Sequence, residues 1–215
     1  MTPTKSRAAR IALVLVLGLH GVLLLSTLTD YRVSIDSGYH VSLARQYGEH
    51  GTAFWDSINY APAGRPNLQG PALHMAIGAL GRVMGGTGGA YVLANAILAV
   101  LQWAAAMLTA VYFARRWSGD LAALFAAALL SGSAASAIPF SIGIPSGWIF
   151  IVTPWAIHFF LEGKLWWATA FLTAGIYMHL GGFVTAPVGV FIAALLTKRV
   201  RRLVIVGGAT AVLAT

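Results

Sequence analysis

Long apolar segments separated by short polar ones make up most of this chain. A membrane-spanning helix needs about 20 mostly apolar residues. The pattern predicts seven such helices, near 11–29, 89–113, 119–137, 147–161, 165–180, 183–197 and 203–215. The predicted fold class is therefore all-α, a polytopic helical membrane protein whose residues 1–215 form one transmembrane domain. Because the last apolar run reaches Thr215 without a flanking charge, we expect this domain to be the first part of a longer membrane protein.

The longest polar interruption, residues 30–88, predicts a large first extracytoplasmic loop. Within this loop, apolar residues fall on one face of residues 38–51, which is typical of a short amphipathic helix at a membrane surface. Residues 52–70 are rich in turn-forming and aromatic residues. Pro71 suits the first turn of a second amphipathic helix, in which apolar residues recur at helical spacing: Leu73, Ile77, Leu80 and Met84.

The distribution of basic residues predicts the orientation of these helices. Ten of the 14 Lys and Arg residues lie in the N-terminal segment and in the short polar segments on the same predicted side, and the other four are spread along the loop 30–88. Positive charge collects on the cytoplasmic side of membrane proteins. We therefore expect a multi-pass protein of the plasma (inner) membrane with a cytoplasmic N-terminus, in contact with anionic membrane lipids.

Composition excludes several classes of function. The chain contains no Cys, so disulfides, thiolate catalysis and cysteine metal sites are excluded. The net charge of +8 would suggest nucleic acid in a soluble protein, but the basic residues lie beside apolar segments and form no basic and aromatic patch. Nucleic acid is therefore not a predicted partner.

Candidate chemistry concentrates in the loop 30–88, which holds four of the six acidic residues of the chain: Asp30, Asp36, Glu49 and Asp56. A carboxylate near lipid is costly unless it is solvated, paired or used. Asp36 precedes the first predicted surface helix, and two interpretations of it remain open. It caps the free N–H groups of the first turn, or it acts as a general base or as a ligand of a divalent cation.

Further polar residues are predicted to line the same site. Tyr39 and His40 follow Asp36, and His40 lies one helical turn after it, so both can face one pocket. His74 lies near the start of the second surface helix, where the helix dipole favours anions. His179 lies at the outer end of the segment 165–180.

Arg65 stands between Gly64 and Pro66, which constrain its backbone and leave the guanidinium group free. A guanidinium group binds phosphate and pyrophosphate well. The same physics serves contact with a lipid headgroup, and the sequence leaves both interpretations open.

These motifs, in this order, resemble the polytopic membrane glycosyltransferases of the GT-C class. That class includes protein mannosyltransferases, lipid A aminoarabinose transferases and oligosaccharyltransferase catalytic subunits. The resemblance covers roughly residues 10–185. It rests on a first helix followed by the Asp-x-x-Tyr motif that ends at Tyr39, on Ala44-Arg45 in the surface helix, and on three later motifs: Gly64-Arg65-Pro66, Pro71 to His74, and His179-Leu180-Gly181.

The resemblance implies transfer of a sugar from a polyprenyl-phosphate-linked donor to an acceptor on the extracytoplasmic side. It implies that Asp36 is the catalytic carboxylate and that Arg65 binds phosphate. It also implies that the remaining site residues line the substrate pocket: Tyr39, His40, His74 and His179.

Two positions depart from the pattern of the class. Gly70-Pro71 replaces a frequent Pro-Pro pair, and Ser37 stands where many members have a second acid. A Mg²⁺ or Mn²⁺ ion would therefore need Asp56 or Glu49 beside Asp36.

Two other classes of function remain open. One alternative interpretation is a part of a transporter or flippase for a lipid or hydrophobic solute. The other is a non-catalytic subunit of a membrane assembly. The sequence decides neither the sugar, the acceptor nor the oligomeric state.

Overall fold

The computed structural model describes residues 3–29, 35–51, 55–56, 62–66, 70–132 and 145–214. In this part of the chain the fold is all-α, as predicted. The α-helices are α1 Pro3–Thr29, α2 Ile35–His50, α3 Pro71–Val83, α4 Gly88–Ser118, α5 Asp120–Gly132, α6 Ile149–Glu162, α7 Leu165–Met178, α8 Leu180–Leu196 and α9 Val200–Leu213. A 3₁₀ helix, Pro145–Trp148, precedes α6 directly. Two short strands, β1 Trp55–Asp56 and β2 Arg65–Pro66, form an antiparallel pair.

The helices follow the predicted apolar segments closely. The seven predicted spans correspond to α1 and to α4 through α9, and the two predicted surface helices correspond to α2 and α3. The end of the predicted segment 119–137 lies outside the described residues. Among the helices that are described, α4 is long and apolar enough to cross a membrane, with 31 residues and a mean hydropathy of 1.9.

One end of the helix bundle carries ion pairs between basic and acidic residues, and we call it the basic end. Asp120, at the start of α5, accepts from Arg10 of α1 at 2.7 Å and from Arg115 of α4 at 2.9 Å. Glu162, at the end of α6, pairs with Arg116 at 2.9 Å and with Lys164 at 2.7 Å. These ion pairs join α1, α4, α5, α6 and Lys164, which directly precedes the next helix. Each of the two acids is paired with two basic residues.

The opposite end of the bundle is formed by α2, α3, the start of α4 and the end of α7. Ala44, Leu73, Ile77 and Ala94 form a buried cluster there, against which Trp148 and Met178 pack. We call it the histidine end, because His40 and His74 are buried in it. A helix of 31 residues is about 46 Å long, so α4 separates the two ends by most of that distance.

Small residues form much of the contact among the last four helices. The buried cluster there contains four alanines, at 156, 168, 186 and 194, together with Phe160, Leu172, Val190 and Val206. Small residues let helix backbones approach closely, and they are typical of helix packing within membranes.

Large apolar side chains are also exposed on the outer surface of the whole helix bundle. They are exposed on seven helices: Leu15 and Leu19 of α1, Leu101 and Leu108 of α4, Phe125 and Leu129 of α5, Phe150 of α6, Trp166 of α7, Phe191 and Leu195 of α8, and Val204 and Val212 of α9. Exposed apolar surface of this kind is typical of regions that contact a membrane or another protein.

Candidate functional site

The site is built where α2 and α3 run side by side in the same direction. His40 of α2 contacts His74 of α3, and one turn later in both helices Ala44 contacts Gly78. The two helices therefore run parallel. A Cβ atom added at Gly78 would lie 2.6 Å from the carbonyl oxygen of Ala44. The absence of a side chain at Gly78 therefore allows the close approach that brings the two histidines together.

His40 and His74, which we call the histidine pair, share a buried hydrogen bond. The distance between His40 Nδ1 and His74 Nε2 is 2.8 Å, and His74 Nδ1 lies 3.1 Å from the carbonyl oxygen of Gly70. His74 is fully buried and His40 is 6% exposed. Two aromatic rings enclose the pair, with the Tyr39 ring 5.3 Å from His40 and the Tyr47 ring 5.9 Å from His74.

Burial keeps the histidine pair uncharged at neutral pH. Burial, with the charge of nearby His179 acting in the same direction, lowers the pKa of His40 to about 4. Burial and the charge of His40 lower the pKa of His74 to about 4, and the Gly70 carbonyl and Asp56 oppose this effect. Removal from water disfavours the protonated form of an imidazole, so both rings are neutral hydrogen-bonding groups.

Gly70 joins the histidine pair to the end of α7. A Cβ atom added at Gly70 would lie 2.8 Å from the carbonyl carbon of Tyr177. The chain therefore has no room for a side chain at this position. The same contact brings the end of α7 beside the Gly70 carbonyl that accepts from His74.

His179 separates α7 from α8 and stands beside the same cluster. Its backbone is extended, with φ −160° and ψ 145°, so a single residue interrupts the helical chain. The turn is tight because Gly175 and Gly182 lie against each other, and a Cβ atom added at Gly182 would lie 2.7 Å from the carbonyl carbon of Gly175. Because Gly70 contacts the backbone of Tyr177 and Met178, directly before this turn, the turn lies near the histidine pair.

Asp56 is an acidic residue of the histidine end. Its side chain is fully buried, and its charge acts on the pKa of His74. Asp56 pairs with Arg65 between β1 and β2. This pairing places the backbone of Arg65 at the histidine end, and the Arg65 side chain lies outside the described residues.

The backbone of Asp36 lies in the first turn of α2, because the helix begins at Ile35. The prediction that Asp36 precedes the helix as its N-cap is therefore wrong, since an N-cap residue lies outside the helical turns. Asp36 is one turn before His40, as its spacing predicted. Its side chain lies outside the described residues.

Glu49, one of the two acids considered as a second metal ligand, does not lie beside Asp36. Glu49 lies thirteen residues after Asp36 on α2, which corresponds to about 20 Å along a helix. Its carboxylate accepts from Arg45 at 2.7 Å on the exposed face. Among the side chains that the structure describes, no three acids or histidines have the geometry of a metal site.

Sequence reasoning missed the residues that hold the site together. Gly48, Gly70 and Gly78 carry no chemistry, but each allows a close backbone contact. The signal was present in the spacing of α2, because Ala44 and Gly48 lie one helical turn apart. Small residues at this spacing are typical of closely packed helices.

Comparisons with known protein families, with curated proteins and with solved structures found no match.

Proposed function

We propose that this protein is a polytopic membrane glycosyltransferase of the GT-C class. It transfers a sugar from a polyprenyl-phosphate-linked donor to an acceptor on the extracytoplasmic side. The observation that supports this best is the polar cluster at the histidine end, where His40 and His74 are buried together one helical turn after Asp36. Three of the motifs that carried the resemblance, Asp36 to Tyr39, Ala44-Arg45 and Pro71 to His74, lie in α2 and α3, which pack against each other.

The multi-pass arrangement is part of the proposal, and the outer surface of the bundle supports it. Exposed apolar side chains occur on all seven helices assigned to the membrane. The separation of charge supports it as well, since the basic end and the histidine end lie at opposite termini of α4. The 3₁₀ helix continues directly into α6, so residues 145–162 form one helical rod of about 29 Å, close to the thickness of a bilayer core.

In the proposed reaction Asp36 is the general base. It accepts the proton of the acceptor hydroxyl while that oxygen forms a bond to the anomeric carbon of the sugar. The bond between the anomeric carbon and the phosphate oxygen breaks, and its electron pair leaves with the polyprenyl phosphate. Attack opposite to the leaving group inverts the anomeric centre.

Arg65 stabilises the leaving group in this scheme, because a guanidinium group neutralises the negative charge that develops on phosphate. The described acids and histidines do not fit a Mg²⁺ or Mn²⁺ site. Oxygen ligands suit these ions, whereas the described polar groups around the site are mostly imidazoles.

Replacement of Asp36 by Asn tests the assignment of the base. In purified protein, we expect D36N to reduce sugar transfer by about 10²- to 10⁴-fold, the usual contribution of a general base, while expression and helix content stay unchanged. Glu49→Gln is the matched control, because Glu49 is another acid of α2 that lies on the exposed face, and it should retain transfer. Wild-type turnover by D36N would refute the assignment.

A further inference from the structure

The two hydrogen bonds of the histidine pair determine which ring nitrogens carry protons. The Gly70 carbonyl can only accept, so His74 Nδ1 must be the donor in that bond. In a neutral ring the other nitrogen, His74 Nε2, is then an acceptor. His40 Nδ1, which lies 2.8 Å away, must therefore carry the hydrogen that it donates to His74.

This chain of bonds makes one further nitrogen of the pair, His40 Nε2, a hydrogen-bond acceptor. With its hydrogen on Nδ1, neutral His40 has a lone pair on Nε2. Among the described residues, no side chain donates a hydrogen bond to this atom, since the hydrogen bond of His40 is the one that it makes to His74. The alternative, in which His74 is a cation and His40 Nε2 is a donor, is disfavoured because His74 is fully buried.

We propose that His40 Nε2 is a hydrogen-bond acceptor for a hydroxyl group of the substrate, and that His74 is the positioning residue that fixes this state of His40. The inference rests on the proposed function, because it assigns one atom of that site to one group of the substrate. The hydroxyl belongs either to the donor sugar or to the acceptor, and the experiment below separates these sources.

The inference also separates two tasks within the site. A phosphate offers only acceptor oxygens and negative charge, so it has no favourable hydrogen bond with a neutral nitrogen lone pair. His40 therefore contributes to recognition of a hydroxyl, and the phosphate must be bound by a cation, which the proposed function assigns to Arg65.

Nuclear magnetic resonance of ¹⁵N-labelled histidine tests the structural half of the inference without any substrate. We expect His40 and His74 both to carry their hydrogen on Nδ1 at neutral pH, and spectra of single variants assign the signals. His74→Asn retains a donor for Gly70 but removes the acceptor for His40 Nδ1, so we expect His40 to change its protonated nitrogen in that variant. A wild-type His40 protonated on Nε2 would overturn the inference.

Binding measurements test the ligand half. His40→Asn keeps an amide donor at the position of Nδ1 and deletes only the acceptor at Nε2. His40→Gln instead puts an amide oxygen near the position of Nε2. The probes are polyprenyl phosphates carrying mannose, glucose, arabinose or N-acetylglucosamine, compared with bare polyprenyl phosphate.

We expect H40N to bind the preferred sugar-linked carrier about tenfold more weakly, the effect of one hydrogen bond, while its affinity for the bare carrier is unchanged. H40Q should recover much of the loss. If binding of both carriers is unchanged and the KM for the acceptor rises, the hydroxyl belongs to the acceptor, and the inference stands.

An equal loss for sugar-linked and bare carriers would overturn the inference, because His40 would then contact the phosphate. Unchanged binding and an unchanged KM for the acceptor would overturn it as well. Failure of the wild-type protein to bind any of these carriers would instead overturn the proposed function, and the inference with it.

Discussion

At the scale of single residues, the histidine pair is the part of the site that the structure defines best. Both imidazole rings are removed from water. His40 makes a hydrogen bond to His74, and His74 makes one to the backbone carbonyl of Gly70. An unsatisfied buried polar group costs about 1–3 kcal/mol, so each bond of the chain from His40 through His74 to Gly70 stabilises the arrangement. A neutral pair held in this way presents one fixed acceptor to a substrate.

The stability of the protein should fall in acid because of this pair. Both folded-state pKa values lie at about 4, below the ordinary value of 6.5, so the unfolded chain binds more protons between these pH values. The contribution of the pair to the free energy of unfolding is therefore greatest above pH 6.5 and decreases as the pH falls towards 4. The decrease is at most about 1.4 kcal/mol per pH unit for each group.

Thermal unfolding in detergent between pH 4 and pH 8 measures this effect. The unfolding temperature of the wild type should fall on acidification, and H40N should show a weaker dependence. His50→Gln is the control, because His50 is an exposed residue at the end of α2, and it should behave as the wild type does. An unfolding temperature that rises on acidification would contradict the assignment.

At the scale of secondary-structure elements, the parallel packing of α2 and α3 creates the site. The sequence predicted both helices, because apolar residues recur at helical spacing and Pro71 marks the start of α3. It did not predict the start of α2, because Ser37 and Gly38 are weak helix formers and suggested a boundary there. The helix nevertheless begins at Ile35.

Gly78 should be the most sensitive position of this helix pair. A methyl group at Gly78 would meet the backbone of α2 at 2.6 Å, and backbone atoms cannot move aside as a side chain does. We expect Gly78→Ala to reduce the free energy of unfolding by about 1–3 kcal/mol. It should also lengthen the bond between His40 and His74.

Thermal unfolding and the ¹⁵N histidine spectrum measure these two effects of G78A. Gly88→Ala is the matched control, because no atom lies within 4 Å of a Cβ added there, and it should leave both measurements unchanged. Equal behaviour of the two variants would show that the close approach of α2 and α3 does not hold the site.

At the scale of the whole molecule, the ion pairs of the basic end and the histidine pair lie at opposite ends of one helix bundle. The sequence predicted this separation from the positions of its basic residues and from the number of its apolar segments. It placed His179, more than a hundred residues after His40, in the same predicted site from its position at the outer end of the segment 165–180, but it predicted none of the contacts there. Such contacts depend on how α7 packs against the loop helices, and the spacing of residues along one helix carries no information about them.

The natural absence of Cys allows a direct test of orientation. Val83→Cys introduces a thiol at a position that is 84% exposed at the end of α3, and Ser118→Cys introduces one at the exposed end of α4. We expect a membrane-impermeant maleimide to label V83C in intact cells, and S118C only after permeabilisation. Labelling of both from the same side would contradict a membrane that separates the two ends.

The most direct measurement of the central claim is saturable binding of a radiolabelled polyprenyl-phosphate sugar to the purified protein. The account predicts saturable binding by the wild type and a loss of affinity of at least about tenfold in Arg65→Ala, because a charged hydrogen bond to phosphate contributes about 1.5–3 kcal/mol. Arg45→Ala, which removes an exposed Arg paired with Glu49, should bind as the wild type does. Absence of saturable binding, or equal binding by the wild type and R65A, would contradict the account.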